Sequence, residues 1–300
     1  MFGRNLPPPP VLSPTLQSDG PEVVLAACAD SAPPVQAALF GAIADQAPDA
    51  VLFAGDACYA GSSDRRRRAG LRQWRQDWGE LLDRVYAVPG NHDFDSPGGL
   101  DCWRENVPAV RGAPRGHDGL AFCLEVGPVA AVGLTAARHR VPAAQLAWAR
   151  EVFAATRAPH RIAVIHEPAW PNGPRKGAAL DVAASDRDQF WRLLEDAGVG
   201  MVLSGHEHGY SRRSVTVRRP IAQVITAGAG GRLYAGLVEP VDAHAIAFHH
   251  LLMVADDRVL RCEAIALDGR VLDEFVLEPA RARRSSPRLR AAEGEGAATS

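Results

Sequence analysis

The sequence predicts an α/β fold, in which a largely parallel sheet is joined by a second β-rich layer. From residue 22 to residue 205, short apolar runs alternate with segments whose apolar residues recur at helical spacing, a pattern typical of βαβ units. From about Ser214 to Leu277, strand-like runs follow one another, and we expect this C-terminal third to supply the second layer. No apolar run approaches the roughly 20 residues that a bilayer span needs, so no membrane-spanning segment is expected.

Each element is predicted from its own local pattern. Short runs of apolar and β-branched residues predict strands at residues 22–28, 49–56, 84–91, 120–126, 129–134, 161–166 and 199–205. Apolar residues three and four positions apart predict helices at residues 33–46, 68–84, 142–156 and 187–198. The C-terminal strands are predicted at residues 221–228, 248–255, 259–267 and 270–278.

The two ends of the chain differ in composition from the segment between them. Residues 1–21 contain six prolines and are predicted to form an extended arm, whereas residues 281–300 are rich in arginine, glycine and alanine and are predicted to be disordered. We expect a single domain over residues 22–280. The N-terminal segment lacks the apolar core of a secretory signal, so a cytoplasmic location is expected, with export as the alternative.

The net charge limits the classes of partner that we expect, and the cysteine pattern limits the classes of disulfide or zinc-bound structure. The net charge of −2 gives no general attraction to nucleic acid or to an anionic membrane, and the sequence holds no specific nucleic-acid motif and no sign of a protein partner. The five cysteines are scattered without a CxxC pair, which excludes a disulfide framework and a zinc ribbon and predicts buried free thiols. The run Arg65–Arg68 is interpreted as a solvated helix start, with steering of an anionic substrate as the alternative.

Side chains that commonly bind metals follow five of the predicted strands. They stand where each strand ends, which is where functional residues collect in α/β folds. The set comprises Asp30, Asp56, Asn91, His166, His206 and His208. Any one of them alone has an ordinary structural explanation, but their joint occurrence in this order indicates one common site.

This set of residue types suits a centre of two metal ions. Two ions about 3.5–4 Å apart can hold the attacking and the leaving oxygen of a phosphoryl displacement. A carboxylate can bridge the ions, and imidazole and amide donors distinguish their coordination spheres. His206 and His208 lie two positions apart in a segment expected to be extended, so that both side chains point to the same side. Glycines before Asp56, Asn91 and His206 are expected to let the backbone approach the ions.

Four motifs carry a family resemblance: GDACY (55–59), GNHDF (90–94), HEP (166–168) and GHEHGYSR (205–212). Over residues 22–214 the sequence resembles the calcineurin-like metallophosphoesterases, and within them most closely the purple acid phosphatase branch. The resemblance implies a sandwich of two mixed β-sheets flanked by helices, in α-β-β-α layers. It also implies hydrolysis of phosphate esters at a binuclear metal centre.

The resemblance implies a role for each site residue. The implied ligands, with Asp56 bridging both ions, are Asp30, Tyr59 and His208 for one metal and Asn91, His166 and His206 for the other. A tyrosinate suits Fe(III), paired with a divalent iron, zinc or manganese ion; the alternative is a colourless zinc or manganese centre beside which Tyr59 only packs. A metal-bound hydroxide would attack phosphorus, and His92 would face the substrate phosphate and assist the leaving group as a general acid or transition-state donor.

The sequence departs from the family pattern in two places. Ala29 stands where the family prefers glycine before Asp30, and no histidine lies between the HEP and GHEH motifs. Arg175 and Lys176 are candidates to supply the missing positive charge for substrate binding, with a solvated pair as the alternative.

Other residues near the motifs are interpreted less specifically. Tyr210 and Arg212 are candidates to line the substrate pocket, with packing as the alternative. Asp93 is expected to orient a neighbour rather than to bind metal. Structural or exposed roles are expected for the histidines without partners at ligand spacing, which are His139, His160, His244, His249 and His250.

The leading interpretation is therefore a phosphomonoesterase with a phosphoester substrate. A phosphodiesterase acting on nucleotides, nucleic acid or phospholipid head groups is the nearest alternative, because the same ligands serve both reactions. A catalytically silent scaffold that keeps the fold and binds partners is a third interpretation, and the complete ligand set and the retained His92 argue against it.

Overall fold

The computed structural model describes residues 22–108 and 117–279. In these residues two mixed β-sheets pack face to face, and helices cover both outer faces. The predicted sandwich with α-β-β-α layers is confirmed. The predictions of an extended arm at residues 1–21 and of a disordered tail at residues 281–300 fall outside the described residues.

The elements follow the predicted alternation through the first two thirds of the chain. The strands are β1 (Val23–Cys28), β2 (Ala50–Phe53), β3 (Val85–Ala87), β4 (Phe122–Val126), β5 (Val129–Leu134), β6 (His160–Ile165), β7 (Met201–Ser204), β8 (Tyr210–Thr216), β9 (Pro220–Thr226), β10 (Ala243–Ala245), β11 (His249–Ala255), β12 (Leu260–Ala266) and β13 (Val271–Leu277). The α-helices are α1 (Val35–Ala44), α2 (Asp64–Trp78), α3 (Gly99–Asn106), α4 (Ala143–Ala155) and α5 (Ala184–Asp196). Short 3₁₀ segments lie at Gly79–Arg84, Asn91–Phe94 and Leu180–Ala183.

Each sheet contains a parallel block. The first sheet has the order β13-β12-β11-β1-β2-β3, and the second has the order β10-β8-β9-β7-β6-β5-β4. β1, β2 and β3 run parallel in the first sheet, as do β5, β6, β7 and β9 in the second. The carboxyl ends of each block therefore lie along one edge of its sheet.

Alternation along the strands explains why both faces of each sheet are buried. In β1, Val23, Leu25 and Ala27 belong to the core between the sheets, whereas Ala26 and Cys28 face the core under α1, α2 and α3. Successive strand residues point to opposite faces, so a continuous apolar run buries both. A third core lies under α4 and α5 on the outer face of the second sheet.

The C-terminal strands do not form a layer of their own, and that expectation was wrong. β11 pairs antiparallel with β1 and extends the first sheet through β12 to β13, while β8, β9 and β10 belong to the second sheet. A strand pattern shows which faces are buried but not which strand lies alongside. The C-terminal third is therefore divided between the two sheets.

Helix α2 begins earlier than predicted. Ser63 Oγ accepts a hydrogen bond from Arg66 N at 3.4 Å, so the helix starts at Asp64 rather than at residue 68. The arginine run is not uniformly solvated, because Arg67 is fully buried. Its guanidinium donates to the carbonyl oxygens of Gly61 and His92 and therefore holds the segment that follows β3.

Two further expectations concern cysteines and membranes. All five cysteines are buried and free, as predicted. Within the described ranges, no helix combines the length and apolar character that crossing a membrane would require.

Candidate metal centre

The predicted site residues come together at one end of the sandwich. They follow β1, β2 and β3 of the first sheet and β6 and β7 of the second, so the two parallel blocks meet there. Contacts between side chains far apart in sequence, such as Tyr59 with His208 and His166 with Asn91, bring the two sheets' contributions together. The convergence predicted from the strand ends is therefore present in the structure.

One part of the site, the oxygen-rich group, consists of Asp30, Tyr59 and His208. Tyr59 Oη donates a hydrogen bond to Asp30 Oδ1 at 3.0 Å and lies 3.0 Å from His208 Nε2. His208 Nε2 lies 3.1 Å from Asp30 Oδ1. The three polar atoms thus form a nearly equilateral triangle.

The other part, the imidazole-rich group, consists of Asn91, His166 and His206. Asn91 Oδ1 lies 3.1 Å from His166 Nε2 and 2.9 Å from His206 Nδ1. The two imidazole rings are 5.2 Å apart between centroids and are nearly perpendicular. One amide oxygen therefore faces two ring nitrogens.

Asp56 lies between the two groups. Its Oδ2 is 3.4 Å from His166 Nε2, and its Oδ1 accepts a hydrogen bond from His92 N at 2.9 Å. Ligand atoms of Asp30, Asp56 and His166 all lie within 4.8 Å of one another, and the three side chains are buried. Asp56 is therefore within reach of both groups.

Backbone carbonyls orient all three imidazoles. In each ring, the nitrogen that does not face the cluster contacts a carbonyl oxygen at 2.8 Å. The contacts pair His166 Nδ1 with Ala54, His206 Nε2 with Ala178, and His208 Nδ1 with Arg232. Since a carbonyl accepts a proton donor, these contacts select the tautomer whose lone pair faces the cluster.

The backbone at the cluster adopts left-handed conformations at non-glycine residues. Asp30, Asp56 and His206 have φ of 62°, 56° and 71°. The expectation of an extended HEH segment was therefore wrong, because the chain turns at His206 after β7 ends. Such backbone strain concentrates at functional sites. Gly90 is needed for close approach, because an added Cβ would overlap Asp56 Oδ1.

Burial and the charges within the cluster shift the pKa values of its ionisable side chains. Burial opposes the charge on Asp30, but His166 and His208 outweigh it and lower the pKa of Asp30 to about 2. Burial also opposes a charge on His166, yet Asp56 and Asp30 raise its pKa to about 10. Burial and then His166 lower the pKa of His206 to about 4. Burial and the carboxylates of Asp30 and Asp56 raise the pKa of Tyr59 well above its usual value.

Two aspartates organise the segment after β3. Asp93 Oδ2 accepts hydrogen bonds from Gly90 N at 2.8 Å and Asp56 N at 3.0 Å, which is an orienting role of the kind predicted for it. Asp95, which the sequence analysis missed, lies 2.6 Å from Nδ1 of His92. An aspartate three residues after the GNH histidine is the only sequence signal for this contact.

The four predicted substrate-binding residues have different surroundings. Arg175 Nη2 donates to Tyr234 Oη at 2.7 Å, and the Tyr234 ring stacks on His208 with centroids 4.3 Å apart. Lys176 instead pairs with Glu239 in an exposed salt bridge. Tyr234 was not identified from the sequence, because no motif surrounds it.

Tyr210 and Arg212 direct their polar groups away from the cluster. Tyr210 is buried between the sheets and donates to Asp273 Oδ2 at 2.6 Å. Arg212 Nε donates to the same oxygen at 2.6 Å, and its guanidinium lies over Phe275. These contacts join β8 to β13 and correspond to the packing alternative.

A family model and solved structures match this chain. The model for calcineurin-like phosphoesterases matches residues 31–210. No curated protein sequence matches the chain significantly.

Several solved structures share the fold at low sequence identity. A purple acid phosphatase, PPD1 from yellow lupin (Lupinus luteus) seeds, superposes with a TM-score of 0.74 at 16% identity, over 89% of this chain and 55% of the lupin chain. This chain thus spans about half the length of that phosphatase. PhoD gives a TM-score of 0.63 at 10% identity, over 89% of this chain and 72% of PhoD.

A third match is GAP50, the anchor in the inner membrane complex of Plasmodium. It gives a TM-score of 0.56 at 12% identity, over 87% of this chain and 90% of GAP50. At these identities the structural matches establish the shared fold alone. Because the family model covers more than half of the sequence, the chain belongs to the calcineurin-like phosphoesterases.

Proposed function

We propose that this protein hydrolyses phosphate monoesters at a centre of two metal ions. The observation that carries the proposal is the meeting of the oxygen-rich and imidazole-rich groups at the buried carboxylate of Asp56. A paired centre of this kind suits phosphoryl displacement, because attacking and leaving oxygens can be held together.

The donor atoms of the imidazole-rich group fit a cation. Contacts with the carbonyl oxygens of Ala54 and Ala178 favour protons on His166 Nδ1 and His206 Nε2. The lone pairs of the neutral rings then face Asn91 Oδ1, itself an acceptor, at 3.1 and 2.9 Å. Three facing acceptors repel one another. The raised pKa of His166 means that without an ion a second proton on this ring relieves that conflict, and a bound cation would take the place of the proton. Asn91, His166 and His206 are therefore proposed to hold one metal ion together with Asp56.

The oxygen-rich group fits a second ion by its spacing and chemistry. Its polar atoms are 3.0 to 3.1 Å apart, and adjacent ligands about 2.1 Å from an ion at right angles are about 3 Å apart. A carboxylate and a phenolate are hard anionic donors that suit a trivalent ion. We propose that Asp30, Tyr59 and His208 hold Fe(III), with Asp56 shared, and that the other ion is divalent iron, zinc or manganese.

Bound metal ions would supply Lewis-acid stabilisation of phosphoryl charge and a water of lowered pKa. The chain itself supplies the proton for the leaving group. His92 is half-exposed beside Tyr59, with ring centroids 5.0 Å apart. Its Nδ1 is held by Asp95 at 2.6 Å, so a proton on Nε2 creates an imidazolium that Asp95 stabilises. We assign His92 Nε2 as the donor to the leaving oxygen.

Arg175 supports a monoester over a diester. Among the described residues its guanidinium forms no ion pair with a carboxylate, and its Nε is buried without a hydrogen bond. A monoester dianion gains more from such a cation than a diester monoanion does. Lys176, already paired with Glu239, is not assigned to substrate.

Metal analysis, a visible spectrum and a pair of substrates test the proposal. We expect two metal ions per chain, a tyrosinate-to-iron absorption band, and faster hydrolysis of p-nitrophenyl phosphate than of its bis ester. A colourless active zinc or manganese enzyme would refute the iron assignment alone. Preference for the bis ester would favour a phosphodiesterase. Full metal loading without turnover on a broad phosphoester panel would favour a binding scaffold.

A further inference from the structure

A second histidine–carboxylate pair lies at the same end of the sandwich. His139 Nδ1 is 2.8 Å from Glu167 Oε2, just as His92 Nδ1 is 2.6 Å from Asp95 Oδ2. The side chains of His139 and His92 are similarly exposed, at 37% and 31%. His139 has no partner at ligand spacing in the sequence, because Glu167 lies 28 residues further along the chain.

The topology places the His139–Glu167 pair beside the imidazole-rich group. His139 follows β5 and Glu167 directly follows His166 at the end of β6, and these two strands are parallel neighbours with Leu134 opposite Ile165. Residues that follow them emerge at the same edge of the second sheet. The His92–Asp95 pair follows β3 of the first sheet. The two pairs therefore approach the cluster from different sheets.

His139 lies in a tight turn whose backbone conformation restricts the position of its ring. Arg138 and His139 have φ of 52° and 62°, and the turn is closed by Ala137 N to Arg140 O at 2.8 Å and Arg140 N to Ala137 O at 3.2 Å. Side chains larger than asparagine are uncommon at both centres of such a turn. Glu167, only 5% exposed, then fixes Nδ1 and leaves Nε2 without a partner among the described residues.

We propose that His139 binds a phosphoryl oxygen of the substrate through Nε2, with Glu167 as its positioning residue. This inference rests on the proposed function. A proton on Nε2 makes the ring a cation that the carboxylate of Glu167 stabilises, and that N–H donates to a non-bridging oxygen. His92 would serve the leaving oxygen, and His139 the group that is transferred.

Binding of inorganic phosphate to the metal-loaded protein tests the role without requiring turnover. His139→Asn is the informative variant, because asparagine tolerates the left-handed backbone and lacks the ring. We expect phosphate affinity, measured by calorimetry, to fall about 10-fold to 100-fold, with unchanged metal content. Glu167→Gln should weaken binding less. Arg140→Gln is the matched control on the same turn, since its charge already pairs with Asp186, and its affinity should stay within about twofold.

Three results would overturn the inference: unchanged phosphate affinity in His139→Asn, equal weakening in Arg140→Gln, or loss of metal in His139→Asn, which would indicate a structural role. Phosphate binding by the wild-type protein without hydrolysis of any phosphoester would overturn only the proposed function. Absence of phosphate binding by the metal-loaded wild type would overturn both. In active protein, we expect KM for p-nitrophenyl phosphate to rise more than kcat falls.

Discussion

The oxygen-rich and imidazole-rich groups are neighbours that share Asp56, yet their donors differ in charge. The first places a carboxylate and a phenol against one imidazole. The second places one amide oxygen against two imidazoles, which would be neutral ligands once a metal ion replaced the second proton of His166. Anionic oxygen ligands favour hard ions of high charge, whereas imidazoles favour borderline divalent ions. The comparison gives the reason why the proposed centre would prefer two different metals.

Asp56→Asn should have the largest effect, because it weakens both groups at once. The loss of a shared anionic ligand removes several kcal/mol of transition-state stabilisation, which corresponds to about a 10⁴-fold fall in kcat. Metal analysis should find fewer than two ions per chain. Asp101→Asn, on the exposed side of α3, is the control and should be indistinguishable from wild type. A fully loaded and active Asp56→Asn protein would contradict the shared role.

His92→Asn separates proton transfer from metal binding. We expect kcat for phenyl phosphate, whose more basic leaving oxygen needs the proton, to fall about 100-fold or more, with both metals retained. Asp95→Asn should have a smaller effect, because the ring keeps its Nε2 but loses its charged partner. Loss of metal from the His92 variant would place that side chain in the ligand set instead.

Tyr59→Phe and Asn91→Ala test the two groups against each other. The first should abolish the visible band and lower activity about tenfold while retaining the ion of the imidazole-rich group. The second should retain the band and lose the divalent ion. Metal analysis and visible absorption spectra of both variants measure these outcomes. An unchanged visible spectrum in Tyr59→Phe would rule out Tyr59 as a tyrosinate ligand.

Arg175→Ala and Lys176→Ala compare two neighbouring cations. Since only Lys176 pairs its charged group with a carboxylate, KM for the monoester should rise about tenfold in Arg175→Ala and stay within about twofold in Lys176→Ala. Steady-state kinetics on the mono and bis esters should show a smaller effect of Arg175→Ala on the bis ester. Equal effects of the two variants would argue against the assignment of Arg175.

The pH dependence of unfolding tests a buried histidine that belongs to neither group, and it therefore separates effects on the fold from effects on the site. Burial lowers the pKa of His250 to about 4, and no described residue hydrogen-bonds its ring. A lowered folded-state pKa contributes stability that is present above about pH 6.5 and is lost as the pH falls towards 4. His250→Leu should therefore reduce the loss of unfolding free energy between pH 7.5 and 4.5, by up to about 3 kcal/mol. Denaturant unfolding at both pH values measures this, and an unchanged pH slope would refute it.

The positions of the site residues were predictable because strand ends are visible in the sequence. Apolar runs end just before Asp30, Asp56, Asn91, His166 and His206, and parallel strands bring their carboxyl ends to one edge. The side chains that contact the site residues from other loops were not predictable in this way. Asp95, Tyr234 and the His139–Glu167 pair lie in no recognisable spacing, because their contacts depend on how loops from separate strands fold back.

The sequence by itself determined the α/β alternation, the residue types at the strand ends and the family of the chain. The tertiary structure decided how the C-terminal strands divide between two sheets, which imidazole nitrogen contacts a backbone carbonyl, and which cation near the site forms no ion pair with a carboxylate. The physical reason is the distance along the chain over which each effect acts. Periodicity and residue type act within a few positions of the chain, whereas strand pairing, tautomer and ion pairing depend on neighbours that only folding brings close.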